Sequence, residues 1–175
     1  MKTGLKKYMD TKGILRIVLI LILIIGNIGC DQVSKKIIRK NIGPYETISV
    51  LNDHLTVTRA ENPGAFLSLG DTLPSTAKSV LLSLLPLVIL AFVFYYIITK
   101  RSLSKPMLVG LCFIVGGGIG NVFDRIVYGS VTDFLHIKFG IFQTGIFNLA
   151  DLSIVAGTIV LLLNYFFKKK ESIPV

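Results

Sequence analysis

Four long apolar segments constrain the fold of this chain more than any other feature of its sequence. They lie at residues 14–30, 79–99, 107–123 and 150–167. A helix needs roughly 17–25 residues to cross the hydrocarbon core of a bilayer, so each segment is long enough for one crossing. The chain is 52% hydrophobic and only 17% charged, whereas a soluble domain carries about a quarter charged residues. The sequence therefore predicts an all-α membrane protein with four transmembrane helices, folded as one domain over residues 1–175.

The basic residues flank these segments unevenly and so predict the orientation of the chain. Lys and Arg collect in the loops that stay in the cytoplasm. They precede the first segment, separate the second from the third and follow the fourth: Lys2, Lys6, Lys7, Lys12, Arg16, Lys100, Arg101, Lys105, Lys168, Lys169 and Lys170. Because four crossings bring these three groups to one side, both termini are predicted to be cytoplasmic. The net charge of +9 then reflects contact with anionic membrane lipid, and no basic–aromatic motif points to nucleic acid.

The longest polar stretch, about residues 45–69, lies outside the cytoplasm in this topology. Leu55-Thr56-Val57-Thr58 alternates between apolar and polar residues, which is typical of a strand, and Asn52-Asp53 is typical of a turn. We predict a small extracytoplasmic β-element here. It leads into an irregular segment from Glu61 to Phe66, where Pro63 and Gly64 interrupt regular structure.

The third segment and the loop after it are unusual in composition. Gly116-Gly117-Gly118 and Gly120 lie within the third segment, and small residues in membrane helices allow neighbouring backbones to approach closely. Residues 124–149 connect the third and fourth segments and are apolar for a loop. We predict that this connection lies against the membrane surface or folds into the mouth of the helical bundle.

Acidic residues gather at the outer ends of the predicted spans. There are ten in the chain, and topology alone brings four of them to one face: Asp31, Asp124, Asp133 and Asp151. A carboxylate at membrane depth is costly and is a functional hypothesis by default. Three of the four also have a structural interpretation, because Asp31 can pair with Lys35, Asp124 adjoins Arg125, and Asp151 can cap the fourth helix. Asp133 has no obvious countercharge.

The residue types available at this face point to carboxylate chemistry. The two histidines, His54 and His136, have no recognisable catalytic partner, and neither they nor the two cysteines, Cys30 and Cys112, have the spacing of metal ligands. We therefore expect neither a metal nor another cofactor. Two nearby carboxylates cannot both ionise easily, so they share one proton. The ionised partner can then activate water while the protonated partner polarises a carbonyl.

Five sequence pieces, in this order, resemble the lipoprotein signal peptidases, also called type II signal peptidases. The pieces are Asp31-Gln32-Val33-Ser34-Lys35, Asn62-Pro63-Gly64-Ala65, the block from Gly116 to Arg125, Val131-Thr132-Asp133-Phe134 and Phe147-Asn148-Leu149-Ala150-Asp151. The resemblance covers about residues 14–167. It implies four transmembrane helices with an extracytoplasmic β-cradle, in the bacterial cytoplasmic (inner) membrane, with the active site near the outer face.

The resemblance also implies an activity and a set of site residues. The activity is that of an aspartic endopeptidase that cleaves prolipoproteins on the amino side of a diacylglyceryl-modified cysteine, and that is inhibited by the cyclic peptide globomycin. The catalytic pair corresponds to Asp133 and Asp151. The substrate-binding or supporting residues correspond to Asn62, Gly64, Asn121, Arg125 and Asn148, with Asp31 and Lys35 as a structural pair and Asp124 paired with Arg125. After Asn62-Pro63-Gly64-Ala65, many relatives have a second alanine and then an aromatic residue, whereas this sequence has Phe66 and Leu67 at those positions.

Two other classes of protein are compatible with parts of the sequence. Ile28-Gly29-Cys30, followed by Asp31, looks like a lipidation box, which would make the chain itself a lipoprotein; Asn27 and the three later spans argue against it. A small transporter or proton channel is the second alternative, because such proteins use carboxylates as proton relays. That function expects acids spread through the depth of the membrane, whereas these gather at one face.

Overall fold

The computed structural model describes residues 11–44, 46–64 and 72–171, with side chains described as far as residue 167. Four helices in this part of the chain are long and apolar enough to cross a membrane. They are α1 (Thr11–Asn41), α2 (Ser75–Thr99), α3 (Lys105–Tyr128) and α4 (Leu149–Glu171). Each contains one of the predicted spans, so the four-helix membrane architecture is confirmed.

Helix α1 continues well beyond the predicted end of its span at Cys30. Its last turns carry Lys35 and Arg39, which are not exposed to lipid because they pack against protein. Ile38, and Ile42 just beyond the helix, form an apolar cluster with Phe134 of the sheet described below. The polar sequence after Cys30 therefore remains helical because tertiary contacts satisfy its charged groups and bury its apolar side.

Helix α2 contains a π-helical stretch at Ser79–Leu84, which ends two residues before Pro86. Proline has no backbone N–H, and its ring clashes with the carbonyl four residues earlier in an α-helix. A wider turn before the proline relieves this clash, and insertions of this kind are a known cause of local changes in helix direction.

Helix α3 is the centre of the bundle, and its glycines explain how three helices pack against it. A Cβ atom on Gly117 would lie 2.4 Å from the carbonyl oxygen of Ala150 in α4, and one on Gly118 would lie 2.6 Å from Leu90 in α2. On the side facing α1, a Cβ on Gly116 would lie 2.7 Å from the Cβ of Asn27. Any larger residue would push a neighbouring helix away. The close packing predicted from these glycines is confirmed.

A four-stranded antiparallel sheet covers the end of the bundle where α1 finishes. Its strands are adjacent in chain order: β1 (Thr47–Val50), β2 (Leu55–Asn62), β3 (Val131–Phe139) and β4 (Phe142–Gln143). The predicted β-element is confirmed for β1 and β2, and Asn52 and Asp53 lie in the turn with positive φ angles. The irregular segment begins at Pro63, later than predicted, because Glu61 and Asn62 still pair with Thr132 and Val131.

Strand β3 is the main departure from the sequence prediction. Residues 124–149 were expected to form only an apolar connection, but Val131–Phe139 form the third strand of the sheet. The first four residues of β3 are all buried, so they lack the alternation that marks a half-exposed strand. The strand carries Asp133 into the protein between the sheet and the helices.

The opposite end of the bundle holds basic residues of α1, of the loop after α2 and of α3. The guanidinium of Arg16 in α1 donates hydrogen bonds to the carbonyl oxygens of Ile97, Ile98 and Lys100 at the C-terminal end of α2, at 2.6, 3.3 and 2.9 Å. The start of α3 lies at this end as well, where Ser104 contacts Asn164 of α4. The arrangement agrees with four crossings and places the sheet and the basic end on opposite sides of the bundle.

Candidate active site

Asp133 lies near the start of β3 and is only 4% exposed. Asn62 at the end of β2 donates its Nδ2 to Asp133 Oδ2 at 3.0 Å, and Asn148 donates its Nδ2 to Asp133 Oδ1 at 2.7 Å. The carbonyl oxygen of the Asn62 side chain accepts the backbone N–H of Gly64 at 3.0 Å. This second bond orients the Asn62 amide so that its NH₂ group faces the carboxylate. Both oxygens of Asp133 therefore accept from amide donors.

Asp151 lies in the first turn of α4 and takes part in the cap of that helix. The backbone N–H of Asn148 donates to Asp151 Oδ2 at 3.2 Å, and the backbone N–H of Asp151 donates to Asn148 Oδ1 at 2.9 Å. This reciprocal pair has the arrangement of a capping box, which satisfies two backbone donors that the start of a helix otherwise leaves without partners. Asn121 of α3 donates its Nδ2 to the other oxygen, Asp151 Oδ1, at 2.7 Å.

Asn148 joins the two aspartates directly. Its side chain donates to Asp133 and its backbone N–H donates to Asp151, so one residue bridges both carboxylates. The preceding residue sets its position, because the backbone N–H and carbonyl of Phe147 bond to Leu135 of β3, each at 2.8 Å. The chain thus passes from the edge of β3 into α4 at the residue that bonds to both Asp133 and Asp151.

A second cluster of buried charges lies beside this pair. Lys35 Nζ is 2.8 Å from Asp31 Oδ2 and 3.1 Å from Asp124 Oδ2, and all three side chains are fully buried. Arg39 Nη2 is 2.9 Å from Asp124 Oδ1. Two carboxylates and two cations therefore balance one another. The predicted pair of Asp31 and Lys35 is present.

Asp31 also connects this charged cluster to the fourth helix. Its Oδ1 accepts the backbone N–H of Ala150 at 3.0 Å, which satisfies a further donor in the first turn of α4. A Cβ atom on Gly120 would lie 2.6 Å from Asp31 Oδ2. The glycine is therefore what allows the carboxylate to fit between α3 and α4.

The expected pairing of Asp124 with Arg125 is wrong. Successive residues on a helix do not face each other, and here Asp124 faces α1 while Arg125 turns toward the end of β2. Arg125 Nη2 donates to the backbone carbonyl of Gly64 at 2.8 Å. From there its charge still acts on Asp133, Asp151 and Asp124 through space. Arg125 thus fixes the position of Gly64, which lies two residues after Asn62.

Asn121 connects the two groups of carboxylates. Its Oδ1 accepts from Lys35 Nζ at 3.0 Å and from Asn148 Nδ2 at 3.2 Å, while its Nδ2 donates to Asp151. All of the residues predicted for the site are thus brought together at one end of the bundle: Asp31, Lys35, Asn62, Gly64, Asn121, Asp124, Arg125, Asp133, Asn148 and Asp151. Phe66 and Leu67 lie outside the described residues.

Arg39, Thr132 and Glu61 belong to this network, although the sequence analysis did not single them out. Arg39 Nε donates to Thr132 Oγ1 at 2.8 Å, and that hydroxyl also contacts the Glu61 carboxylate at 3.1 Å. The guanidinium of Arg39 lies 4.0 Å from the centre of the Tyr128 ring, a cation–π contact. Thr132 directly precedes Asp133, so these contacts hold the backbone beside the carboxylate. The signal in the sequence was Arg39 itself, four residues after Lys35, which places both cations on one side of α1.

Burial raises the pKa of Asp133 from its ordinary value to about 6. Desolvation is the largest cause, and the nearby charge of Asp151 raises the pKa further, while the hydrogen bonds from Asn62 and Asn148 lower it. Asp133 is therefore inclined to keep a proton at a pH where an exposed aspartate has lost it.

The part of the chain that the structure describes offers no group of three or more His, Cys, Asp or Glu side chains arranged to hold a metal ion. His54 stacks on Phe139 with ring centres 4.8 Å apart, away from the aspartates. Cys30 and Cys112 are free thiols. The described side chains around Asp133 and Asp151 are amides, carboxylates and cations.

Comparison with known proteins agrees with this geometry. The sequence model of the signal peptidase (SPase) II family matches residues 18–167. The chain belongs to the signal peptidase II family. A lipoprotein signal peptidase of Clostridium novyi (strain NT) is 36% identical over 143 residues, which cover 81% of this chain and 93% of that protein. One from Borreliella burgdorferi (strain ZS7) is 34% identical over 158 residues, covering 87% and 92%.

A solved structure confirms the fold of this signal peptidase II family member. It is a bacterial membrane enzyme determined by the in meso method at 2.3 Å resolution, with a TM-score of 0.79 and 24% sequence identity, covering 91% of this chain and 94% of that one. Family membership makes the chain a signal peptidase, and therefore a protease. It also favours a protease over the lipoprotein and the proton channel that the sequence left open.

Proposed function

We propose that this protein is an aspartic endopeptidase that removes the signal peptide from prolipoproteins in the membrane. Its substrates are lipid-modified prolipoproteins, cut on the amino side of the diacylglyceryl cysteine, and Asp133 and Asp151 are its catalytic residues. The observation that carries the proposal is the Asn148 bridge, in which a single residue donates to both carboxylates. Gln32 likewise donates to both Asp31 and Asp124, but those carboxylates form ion pairs with Lys35. Asp133 and Asp151 form no ion pair with a described residue.

Asp133 and Asp151 lie in different environments, and we base their roles in the reaction on this difference. Asp133 is buried between the sheet and the helices, and its raised pKa favours the neutral acid. Asp151 lies in the first turn of α4, where the positive end of the helix dipole favours an anion. We assign Asp151 as the general base and Asp133 as the general acid, so that two carboxylates in different environments take different roles.

The reaction then follows in two steps. A water molecule attacks the carbonyl carbon of the scissile peptide bond, gives a proton to Asp151 and breaks the carbonyl π bond, while Asp133 gives its proton to the carbonyl oxygen. The resulting tetrahedral diol collapses: the bond from carbon to nitrogen breaks, the leaving nitrogen takes the proton from Asp151, and a diol hydroxyl returns a proton to Asp133. Both carboxyl groups recover their starting states, and no cofactor is required.

The position of the site suits a substrate that is anchored in lipid. Asp133 and Asp151 lie where the helices meet the sheet, so a peptide bond near the membrane interface reaches them while its acyl chains remain in the bilayer. We further propose that the protein lies in the bacterial cytoplasmic (inner) membrane with both termini in the cytoplasm and the sheet outside. The basic residues at the end opposite the sheet support this orientation.

Cleavage of a diacylglyceryl-modified prolipoprotein by the purified protein, followed by gel shift, tests the proposal. Asp133→Asn and Asp151→Asn are each expected to reduce turnover by at least about a thousandfold, because removal of one member of a catalytic unit costs nearly as much as removal of the whole. Asp53→Asn is the matched control, because Asp53 is exposed in the turn between β1 and β2. Near-normal turnover by either dyad variant would refute the assignment.

Two reagents separate this mechanism from other hydrolases. Chelators are expected to leave cleavage unchanged, and a loss of activity that a divalent metal restores would indicate a metallohydrolase instead. Globomycin is expected to compete with the lipidated substrate, since the resemblance to the family implies it. Failure to compete would count against the proposed substrate site. It would not test the assignment of Asp133 and Asp151, which depends on the two asparagine variants.

A further inference from the structure

A basic cavity lies at the end of the bundle opposite the proposed active site. It is open to the surface and has a volume of about 300 Å³ between the start of α1 and the start of α3. Its polar lining comes from Lys12 and Arg16 of α1, Arg101 from the loop after α2, and Lys105 at the first position of α3. Four cationic side chains therefore surround one cavity, although they come from separate parts of the sequence.

Two helix ends set the electrostatics of this cavity. Helix α3 begins at Lys105 and runs for 24 residues, so the positive end of its dipole lies at the cavity. Arg16 contacts the C-terminal carbonyl oxygens of α2, which fixes its guanidinium at the wall. The cations and the positive end of the α3 dipole favour an anion such as a phosphate.

The rest of the lining is aliphatic. Leu103 and Leu108 form the inner wall, and Leu15 and Leu19 of α1 are 70% and 46% exposed on the lipid-facing side. A soluble phosphate would use only the cationic part of this lining. A molecule with both an anionic phosphate and acyl chains would use the whole cavity.

We propose that this cavity binds the headgroup and upper acyl chains of an anionic phospholipid. Basic pockets between transmembrane helices on the cytoplasmic side are suited to such headgroups. The proposal relies on the orientation stated above but not on the catalytic assignment of Asp133 and Asp151. The bound lipid joins the start of α1 to the start of α3 and so stabilises the bundle.

Thermal unfolding in detergent micelles that contain added lipid tests this site. The assay uses a thiol-reactive dye in a Cys30→Ser background, because Cys112 is buried and reacts only on unfolding, whereas Cys30 is exposed. Palmitoyl-oleoyl phosphatidylglycerol is expected to raise the melting temperature by roughly 3 °C over the phosphatidylcholine with the same chains. An equal rise with both lipids would overturn the proposal.

Two lysine variants distinguish a site from general attraction to a charged surface. Lys105→Gln removes one charge from the cavity and is expected to weaken the phosphatidylglycerol effect about fivefold in apparent affinity. Lys100→Gln removes one charge at the same end but outside the cavity lining, and is expected to leave the effect unchanged. Equal losses in both variants would show diffuse attraction and would overturn the site. If Lys105→Gln is unstable in phosphatidylcholine alone, Lys12→Gln on the opposite wall replaces it with the same expectation.

A competition arm identifies the source of the phosphate. Soluble glycerol phosphate, at a concentration well above that of the lipid, is expected not to displace phosphatidylglycerol, because it cannot occupy the leucine-lined part of the cavity. Retention of phosphatidylglycerol in native mass spectrometry, with loss in Lys105→Gln, would support the site. Displacement by glycerol phosphate would overturn the phospholipid assignment in favour of a soluble anion.

Discussion

Two pairs of aspartates lie at the same end of this bundle, and they differ in what surrounds them. Asp31 and Asp124 are fully buried and contact Lys35, with Arg39 completing the balance of charge. Asp133 and Asp151 accept hydrogen bonds from amides, and neither forms an ion pair with any described residue. The first pair is therefore bound directly by cations. The second pair is oriented by amide donors without a cation in direct contact.

This difference separates the pair with a structural role from the pair proposed to carry out the reaction. A cation in direct contact lowers the pKa of a carboxylate and would keep both members of a catalytic pair ionised, which would leave no acid to protonate the substrate carbonyl. Amide donors fix geometry without imposing that constraint. The contrast therefore predicts that changes to the first pair affect mainly stability, whereas changes around the second pair affect mainly turnover.

The largest expected effect in stability comes from Lys35→Met. It leaves two buried carboxylates with only one of their cations, and breaking a buried ion pair from one side costs about 3–5 kcal/mol. The free energy of unfolding, measured by denaturant titration in micelles, is expected to fall by that amount. Lys36→Met, at an exposed position one residue later, is the control. An unchanged unfolding free energy would mean that the first pair is not a structural device, and the contrast between the pairs would fail.

Gly120→Ala is expected to have the next largest effect. The new Cβ would meet Asp31 Oδ2 at 2.6 Å, so α1 or α4 must shift, and overpacking of this kind typically costs about 1–3 kcal/mol. The same titration measures it. Gly26→Ala is the matched control within α1, because nothing lies within 4 Å of its Cβ position. Equal stability of the two variants would show that the contact between Gly120 and Asp31 is not tight.

Thr132→Val tests whether the first cluster positions the second. The variant loses the hydroxyl that accepts a hydrogen bond from Arg39, so the start of β3 is less firmly held. We expect kcat to fall about tenfold with KM unchanged. A tenfold loss corresponds to about 1.4 kcal/mol of transition-state stabilisation. Thr132→Ser, which keeps the hydroxyl, is expected to restore kcat. A loss of stability with no change in kcat would assign Thr132 a purely structural role.

The smallest expected effect is the pH dependence of kcat/KM. In the proposed mechanism Asp133 acts as an acid, so kcat/KM of the free enzyme is expected to fall as the pH rises through about 6, the pKa to which burial raises this carboxyl. Initial rates at low substrate concentration measure the profile. If kcat/KM instead falls as the pH is lowered through 6, Asp133 acts in its ionised form. That result would reverse the roles assigned to Asp133 and Asp151.

The sequence predicted the features that depend on local pattern. Hydropathy alone located four spans, and the four-residue spacing of Asp31 and Lys35 predicted a contact that the structure contains. Topology brought Asp133 and Asp151 to one face without any knowledge of side-chain positions. The bridge through Asn148 could not be predicted from the sequence, because it depends on the pairing of Phe147 with Leu135 in β3.

The misses have two physical causes. Strand β3 is buried on both faces at its start, and a short apolar run of that kind has no periodicity to distinguish it from a connection against the membrane. Asp124 and Arg125 are neighbours in sequence but point in different directions on the helix, so adjacency was a poor guide to pairing. The contacts of Arg39 with Asp124 and Thr132 are long-range, and only the folded chain reveals them.

The length of α1 has a consequence for the membrane in which the protein works. Its 31 residues span roughly 46 Å, whereas the hydrocarbon core of a bilayer is about 30 Å thick. One uninterrupted helix thus extends from the basic cavity to Lys35 and Arg39. A thicker or thinner bilayer must be matched by tilting this helix or by deforming the lipid around it. The height of Asp133 and Asp151 above the interface therefore depends on acyl-chain length. If these are the catalytic residues, as proposed, turnover should be greatest in bilayers whose thickness brings the scissile bond level with them.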